Sequence, residues 1–275
     1  MNRRKFVTDS VATFAAASTF MPRGLSDTSS AERVTGRGRT LALDAKPASI
    51  NFDTAKTAVI VCDMQNDFGS KGGMFDLAGI DISGIRKAIG PTAKVLMSAR
   101  GAGIRIVYLK MAFRPDLSDL GDVDSPNRLR HLPFGVGKSI HAPDGRESRI
   151  LIRDTWDTDI VDELKPQADD AVVYKHRFSG FYETELDATL KKLGAKYLIV
   201  TGCTTSVCVE ATVRDAMYRD YSCVLLEDCM SQPTLGKSSP SSNHDASLVA
   251  AEVFLGWVSN SDRFIKTLGP AAPSA

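Results

Sequence analysis

Three residues in this sequence have the types and settings that hydrolytic chemistry needs: a cysteine at a strand-to-helix junction, and an aspartate and a lysine that each close a strand-like run. Cys208 ends the segment Val200-Thr201-Gly202-Cys203-Thr204-Thr205-Ser206-Val207-Cys208. Residues 197–200 read as a buried strand. Residues 208–218 have helical spacing, with Val209, Thr212, Val213 and Ala216 on one face. At the positive end of a helix dipole a thiol is expected to ionise more easily, and free N–H groups there can receive a developing oxyanion. Asp63 ends the run Ala58-Val59-Ile60-Val61-Cys62-Asp63 and is placed to act as a general base. Lys175 ends Ala171-Val172-Val173-Tyr174-Lys175. Each residue also has an ordinary reading. A lone cysteine packs well as a small apolar residue, an aspartate leaving a strand caps turns, and a lysine beside His176 and Arg177 can be solvated.

The elements that must position these residues alternate along the chain. Residues 85–100 read as a helix interrupted near Gly90-Pro91, and residues 104–109 as the next strand. Residues 186–193 are helical and closed by Gly194, residues 223–226 form a further strand, and residues 245–258 read as a late amphipathic helix. This order argues for a parallel sheet with helices on both faces, where ligands bind at the carboxyl ends of the strands. Residues 113–154 form a long insertion rich in Pro, Gly and Arg. Such a loop is expected to be a lid over the active site. The chain has 275 residues, 43% of them hydrophobic, enough to bury one full core. With 34 basic and 33 acidic residues the net charge is +1, so no electrostatic footprint for nucleic acid or a membrane surface is present.

Together the three segments resemble the isochorismatase-like cysteine hydrolase superfamily. The pattern there is D-x-Q-x-D-F, then K-x-x-[FY]-S-[GA]-F with T-x-L, then G-x-x-T-x-x-C-V-x-x-T. Here Asp63, Gln65, Asp67 and Phe68 answer the first part, Lys175 through Phe181 with Thr184 and Leu186 the second, and Gly202, Thr205, Cys208, Val209 and Thr212 the third. The stretch from Lys175 to Asp228 looks most like ureidoacrylate and biuret-type amidohydrolases. The resemblance implies an α/β fold of three αβα layers with a doubly wound, mostly parallel sheet, and a triad of Asp63, Lys175 and Cys208. It implies an oxyanion hole from the backbone N–H groups of Thr204 and Cys208, and a cis peptide between Cys203 and Thr204. Gln65, Asn66, Phe68, Met111, Phe113, Asn127, Phe178 and Phe181 are the expected pocket residues.

Nicotinamidases of this superfamily carry an Asp-x-His metal pair after the second strand. This chain reads Lys110-Met111-Ala112-Phe113-Arg114-Pro115-Asp116 there, so no metal and no cofactor are expected, and His131 and His141 are taken as surface loop residues. Met111 and Phe178 stand where ureidoacrylate amidohydrolases usually have a polar amide and a tyrosine, which implies a more apolar pocket. The expected activity is hydrolysis of a small linear amide, ureide or carbamoyl compound. The alternatives are a non-catalytic binder or scaffold of the same fold, or a redox thiol protein using Cys208 with Cys203. A homo-oligomer is expected.

Asn2-Arg3-Arg4-Lys5-Phe6-Val7 before a short apolar run resembles a twin-arginine export signal. Residues 1–31 are assigned to that signal, 32–50 to a linker, and 51–269 to the hydrolase domain with its lid insertion. Export to the periplasm is expected, with a cytoplasmic location as the alternative. No membrane span is expected in the mature chain.

Overall fold

The run at residues 58–61 has no polar alternation, so it is stable only when both faces are covered. In the computed structural model, which describes residues 38–233 and 240–270, it lies in the middle of a six-stranded sheet. The strands are β1 (Thr40–Leu43), β2 (Ile50–Asp53), β3 (Thr57–Cys62), β4 (Arg105–Met111), β5 (Ser139–His141), β6 (Glu147–Arg149), β7 (Ala171–Lys175), β8 (Tyr197–Cys203), β9 (Ser222–Ser231) and β10 (Gly256–Ser259). The helices are α1 (Asn66–Gly69), α2 (Met74–Leu77), α3 (Ser83–Gly101), α4 (Pro126–His131), α5 (Leu186–Lys192), α6 (Glu210–Met217), α7 (Pro240–Ala250) and α8 (Ser261–Leu268). The sheet order is β10-β9-β8-β3-β4-β7, and every pairing is parallel.

Alternate residues of each strand feed opposite cores. Val59, Val61, Ile106 and Tyr108 pack with Ile85, Val95 and Leu96 of α3 and Phe264 of α8. Ala58, Ile60, Val107 and Leu109 pack with Leu186 and Leu190 of α5 and Val213 and Ala216 of α6. The sheet is therefore doubly wound, with helices on both faces. From β3 the chain first builds outward through β4 and β7. It then returns to the other side of β3 and builds outward again through β8, β9 and β10. The reversal opens a crevice between β3 and β8 at the carboxyl edge, where helices diverge and a ligand can sit. Gly202 lets these two strands close up at that point. Its φ is +114°, and a Cβ there would lie 2.0 Å from the Cys62 carbonyl oxygen.

Three expectations need correction. Helix α3 runs unbroken through Pro91, because Ile85, Ala88, Ile89, Thr92, Val95, Leu96 and Ala99 form one continuous buried face. The carbonyl that loses its partner to Pro91 belongs to exposed Lys87, and Thr92 Oγ1 donates to Ala88 O at 2.7 Å. The late helix stops earlier than its pattern implied. After α7 and a π-helical turn at Ala251–Leu255, residues 256–259 become β10. Gly256 permits this, since a Cβ there would meet Cys223 O at 2.3 Å. Residues 38–50 are not linker. Strands β1 and β2 pair antiparallel, Leu43 and Phe52 are fully buried, and Phe52 meets Phe264 at 6.0 Å. Lys46 bridges to Val258 on the sheet edge. The insertion at 113–154 is a folded layer carrying α4 and the β5-β6 ribbon, with Leu120, Val136, Ile150 and Leu151 buried. The export-signal segment, residues 1–31, and residues 32–37 lie outside the described residues. Among the described residues no helix is long and apolar enough to cross a membrane.

Candidate active site

Asp63, Lys175 and Cys208 meet at the carboxyl edge of the sheet because each follows or ends a strand there. Register fixes the first two. Met111 of β4 pairs with Lys175 of β7, and Asp63 leaves β3 with its N–H on Leu109 O at 3.0 Å. Asp63 takes a positive φ of 51°, a conformation that aspartate tolerates better than bulky residues do. Its Oδ1 accepts the Met111 N–H at 3.0 Å, and its Oδ2 faces Lys175 Nζ at 2.8 Å. Both side chains are fully buried. Lys175 Nζ also donates to Arg177 O at 3.2 Å and touches Met111 Sδ at 3.6 Å.

The electrostatics decide the resting protonation. Burial alone would pull the Lys175 ammonium down. The Asp63 carboxylate and the neighbouring Cys208 and Cys62 thiols outweigh it, and the group sits above its usual range. Cys208 interacts with both members of the pair. Burial raises its thiol, the Lys175 charge lowers it, and the Asp63 charge raises it, leaving it pushed up to about 12. The thiol is therefore protonated at rest, contrary to the expectation of a pKa lowered by the helix start. The reason is local. Cys208 lies inside a π-helical turn, Thr205–Val209, and is only 7% exposed. Several N–H groups of that turn are already taken, Ser206 by Gln232 Oε1 at 3.0 Å and Val207 and Val209 by Thr204 O at 3.1 and 3.2 Å. The Cys203-Thr204 peptide is cis.

The remaining motif residues brace this arrangement. Gln65 spends both ends of its amide on the Met111 backbone, accepting from N at 2.7 Å and donating to O at 2.9 Å. Asp67 accepts from Met74 N at 3.0 Å and Leu151 N at 2.8 Å, so it fastens α2 and the insertion to the end of β3. Thr212 Oγ1 donates to Cys208 O at 2.7 Å and accepts from Gly180 N at 2.9 Å. It thereby ties the turn that holds Cys208 to the loop that follows Lys175.

A cavity of about 150 Å³ opens over Asp63 and Cys208. Of the eight expected pocket residues, Phe68, Met111 and Phe178 line it. The other five serve elsewhere. Gln65 is consumed as described. Asn66 donates to Trp156 O at 2.8 Å and accepts from Ser70. Phe113 is fully buried behind His131. Asn127 donates to Leu120 O at 2.9 Å. Phe181 packs on Tyr221 in the opposite core.

The wall is completed by Met74, Phe75, Arg130, His131, Phe134, Leu151 and Val207, which motif reasoning passed over. His131 is the main correction, being only 7% exposed rather than a surface loop residue. Ser125-Pro126 was the available signal, a capping serine before a proline at the first helical position. It starts α4, with Ser125 Oγ accepting from Arg128 N at 3.3 Å, and the helix carries His131 inward. A wider open groove of about 640 Å³ along β7 contains none of the three catalytic candidates. All five cysteines are free thiols, and Cys203 Sγ donates to Asp63 O at 3.2 Å. Among the described residues no group of three or more His, Cys, Asp or Glu is arranged to hold a metal ion.

Fold and relatives together mark the chain as a hydrolase of carbon–nitrogen bonds. The chain belongs to the isochorismatase domain family, whose pattern it matches over residues 57–263. It is 39% identical over 242 residues to ureidoacrylate amidohydrolase RutB of Serratia proteamaculans, covering 85% of this chain and 90% of that one. It is 38% identical over 231 residues to its namesake in Caulobacter segnis, covering 84% and 93%. Among solved structures, a cysteine hydrolase from Pseudomonas syringae pv. phaseolicola superposes with a TM-score of 0.67 at 30% identity, covering 80% of this chain and 96% of that one. N-carbamoylsarcosine amidase from Thermoplasma acidophilum superposes with a TM-score of 0.54 at 28% identity, covering 75% and 97%.

Proposed function

We propose that the protein is a metal-independent cysteine amidohydrolase that opens a small linear amide, ureide or carbamoyl compound through a thioester. The observation that carries this reading is a sealed Asp63–Lys175 ion pair set against the Cys208 thiol. In a dry site a free thiolate beside Asp63 is costly, so ionisation and attack belong to one step. The Cys208 proton passes to Asp63 as sulfur bonds to the carbonyl carbon. Lys175 stays charged and offsets the negative charge shared by sulfur and carboxylate. The backbone N–H groups of Thr204 and Cys208 are the proposed donors to the oxyanion. Asp63 then returns the proton to nitrogen, the C–N bond breaks, and ammonia or an amine leaves. Water adds to the thioester, giving its proton to Asp63. The C–S bond breaks and the proton goes back to sulfur.

Metal independence is supported by the donor set. The segment after β4 has no Asp-x-His pair, and the carbonyl must be polarised by backbone N–H groups. The amidohydrolase relatives support the reaction class, while Met111 and Phe178 argue for a substrate less polar than ureidoacrylate. The test is Cys208→Ala with intact-mass analysis of acid-quenched wild type during turnover. The wild type should carry one acyl adduct on Cys208, and the variant should fold and lose turnover. A variant keeping more than about a hundredth of the rate would overturn the covalent mechanism.

A further inference from the structure

The cavity over Cys208 is shaped and lined for something other than a polar chain. Four phenyl rings line it, those of Phe68, Phe75, Phe134 and Phe178, together with Met74 and Leu151. Roughly 150 Å³ of apolar cavity holds a benzene-sized solute, which matches the volume found here. Polar groups on the wall are few. Asp63 is committed to Lys175 and Cys208. Arg130 is exposed and is the only cation among the lining residues, so the entrance disfavours a cationic ligand.

Two neutral polar side chains line the wall, Thr204 and His131, and only His131 presents a ring nitrogen that can accept from a ligand. Its Nδ1 lies 2.6 Å from Asn127 O, and since a carbonyl only accepts, Nδ1 carries the ring proton. Nε2 is then a bare acceptor, and it has no hydrogen-bond partner among the described residues. The ring is held between Phe113 at 5.3 Å and Phe178 at 5.5 Å, so its direction is fixed. Burial lowers its pKa, the Asn127 carbonyl opposes this, and the Lys175 and Arg177 charges lower it further, which keeps the ring neutral.

We infer that the substrate is an uncharged or anionic amide or ureide whose acyl side is a compact apolar group of ring size, with an N–H donated to His131 Nε2. This rests on the amidohydrolase reading and goes beyond it by naming the substrate class and assigning a specificity residue. Polar chains of the ureidoacrylate kind would leave polar groups facing phenyl rings, and such groups bind poorly when unpaired.

The experiment measures ammonia release by the full chain from acetamide, isobutyramide, benzamide, 4-(aminomethyl)benzamide and ureidoacrylate, with Cys208→Ala alongside. Burying the ring should raise kcat/KM for benzamide over acetamide by about 10- to 100-fold. The aminomethyl derivative should fall back toward acetamide. His131→Leu should raise KM for benzamide at least about fivefold through loss of one hydrogen bond. His131→Gln, which keeps an acceptor, should restore much of it. Methyl benzoate, an ester with no N–H whose hydrolysis is followed by methanol release, should lose clearly less than benzamide in His131→Leu. Preference for ureidoacrylate or acetamide with turnover still dependent on Cys208 would overturn the substrate class and leave the cysteine mechanism standing. Equal loss on ester and amide in His131→Leu would overturn the role of His131. Turnover surviving in Cys208→Ala, or no turnover of any compound, would overturn the mechanism and this inference with it.

Discussion

Replacing Asp63 by Asn should make Cys208 more reactive toward an alkylating agent while abolishing catalysis. In the wild type the thiol is pushed up to about 12, first by burial and then by the Asp63 charge working against Lys175. At pH 8 only about one thiol in ten thousand is then ionised. Asparagine removes the like charge and leaves the Lys175 ammonium unopposed, which lowers a thiol by roughly 1–3 pH units at contact range. A shift of about two units gives roughly a hundredfold more thiolate, and the lower basicity of the sulfur takes back about a tenfold factor. The net expectation is labelling by iodoacetamide at pH 8 about ten times faster than wild type, in a protein that has lost its proton acceptor and does not turn over. Lys175→Met should move the labelling profile the other way, toward higher pH, because only the attraction for the thiolate is removed. It also strands a buried carboxylate, which costs about 3–5 kcal/mol, so its melting temperature should be checked before labelling. The assay is the pH profile of mass-detected alkylation at Cys208 in all three proteins. Superimposable profiles, or both variants moving in the same direction, would refute the placement of the thiol between two opposite charges.

Exhaustive dialysis against a strong chelator should leave activity unchanged, and activity restored by added zinc, iron or manganese would contradict the proposed mechanism. Gly202→Ala should destabilise by about 3 kcal/mol or more, measured by urea unfolding, since the new methyl meets the Cys62 carbonyl across the strand pair. Asp67 is held well above the usual carboxylate range, first by burial and then by a hydrogen bond with Asp157. Its folded value is raised, so the stability it contributes is complete below the normal carboxylate pKa and is lost as pH rises through the folded value. Asp157→Asn should therefore gain melting temperature relative to wild type as pH rises from 4 toward 8. A constant difference across that range would refute the influence of Asp157 on the Asp67 carboxyl.

The meeting of Asp63, Lys175 and Cys208 was legible because a parallel sheet leaves little freedom. Three apolar runs ending in Asp63, Lys175 and Cys203 must present those ends on one edge once the strands pair in register, whatever lies between them. The pocket was legible only where the residue was apolar. Gln65, Asn66 and Asn127 are polar residues of or near the motifs, and each is spent on a backbone carbonyl or N–H. A sequence does not distinguish that duty from contact with a ligand, because both need the same donors and acceptors. His131 was missed since a six-residue helix has too few turns to show which face is inward. Gly90-Pro91 looked like a break because local propensity opposes a helix there, and seven buried side chains on α3 outweigh it. Strands β1 and β2 are four residues each, too short to reveal alternation against the surrounding Ser, Gly and Arg. The sign of the Cys208 shift was also out of reach. It depends on how dry the site is, and dryness is a property of packing.

The three catalytic candidates hang from the ends of β3, β7 and the π turn after β8. Much of the cavity wall comes from α2 and the layer between β4 and β7, which carry no reacting atom. That part of the wall, which excludes Met111 and Phe178, therefore sits on stretches of chain distinct from those that carry the three candidates. Phe75, His131 and Phe134 make none of the hydrogen bonds that hold Asp63, Lys175 or Cys208. The same reaction can thus be aimed at a different acyl group by rebuilding a rim, and the 113–154 segment is the natural unit to transplant.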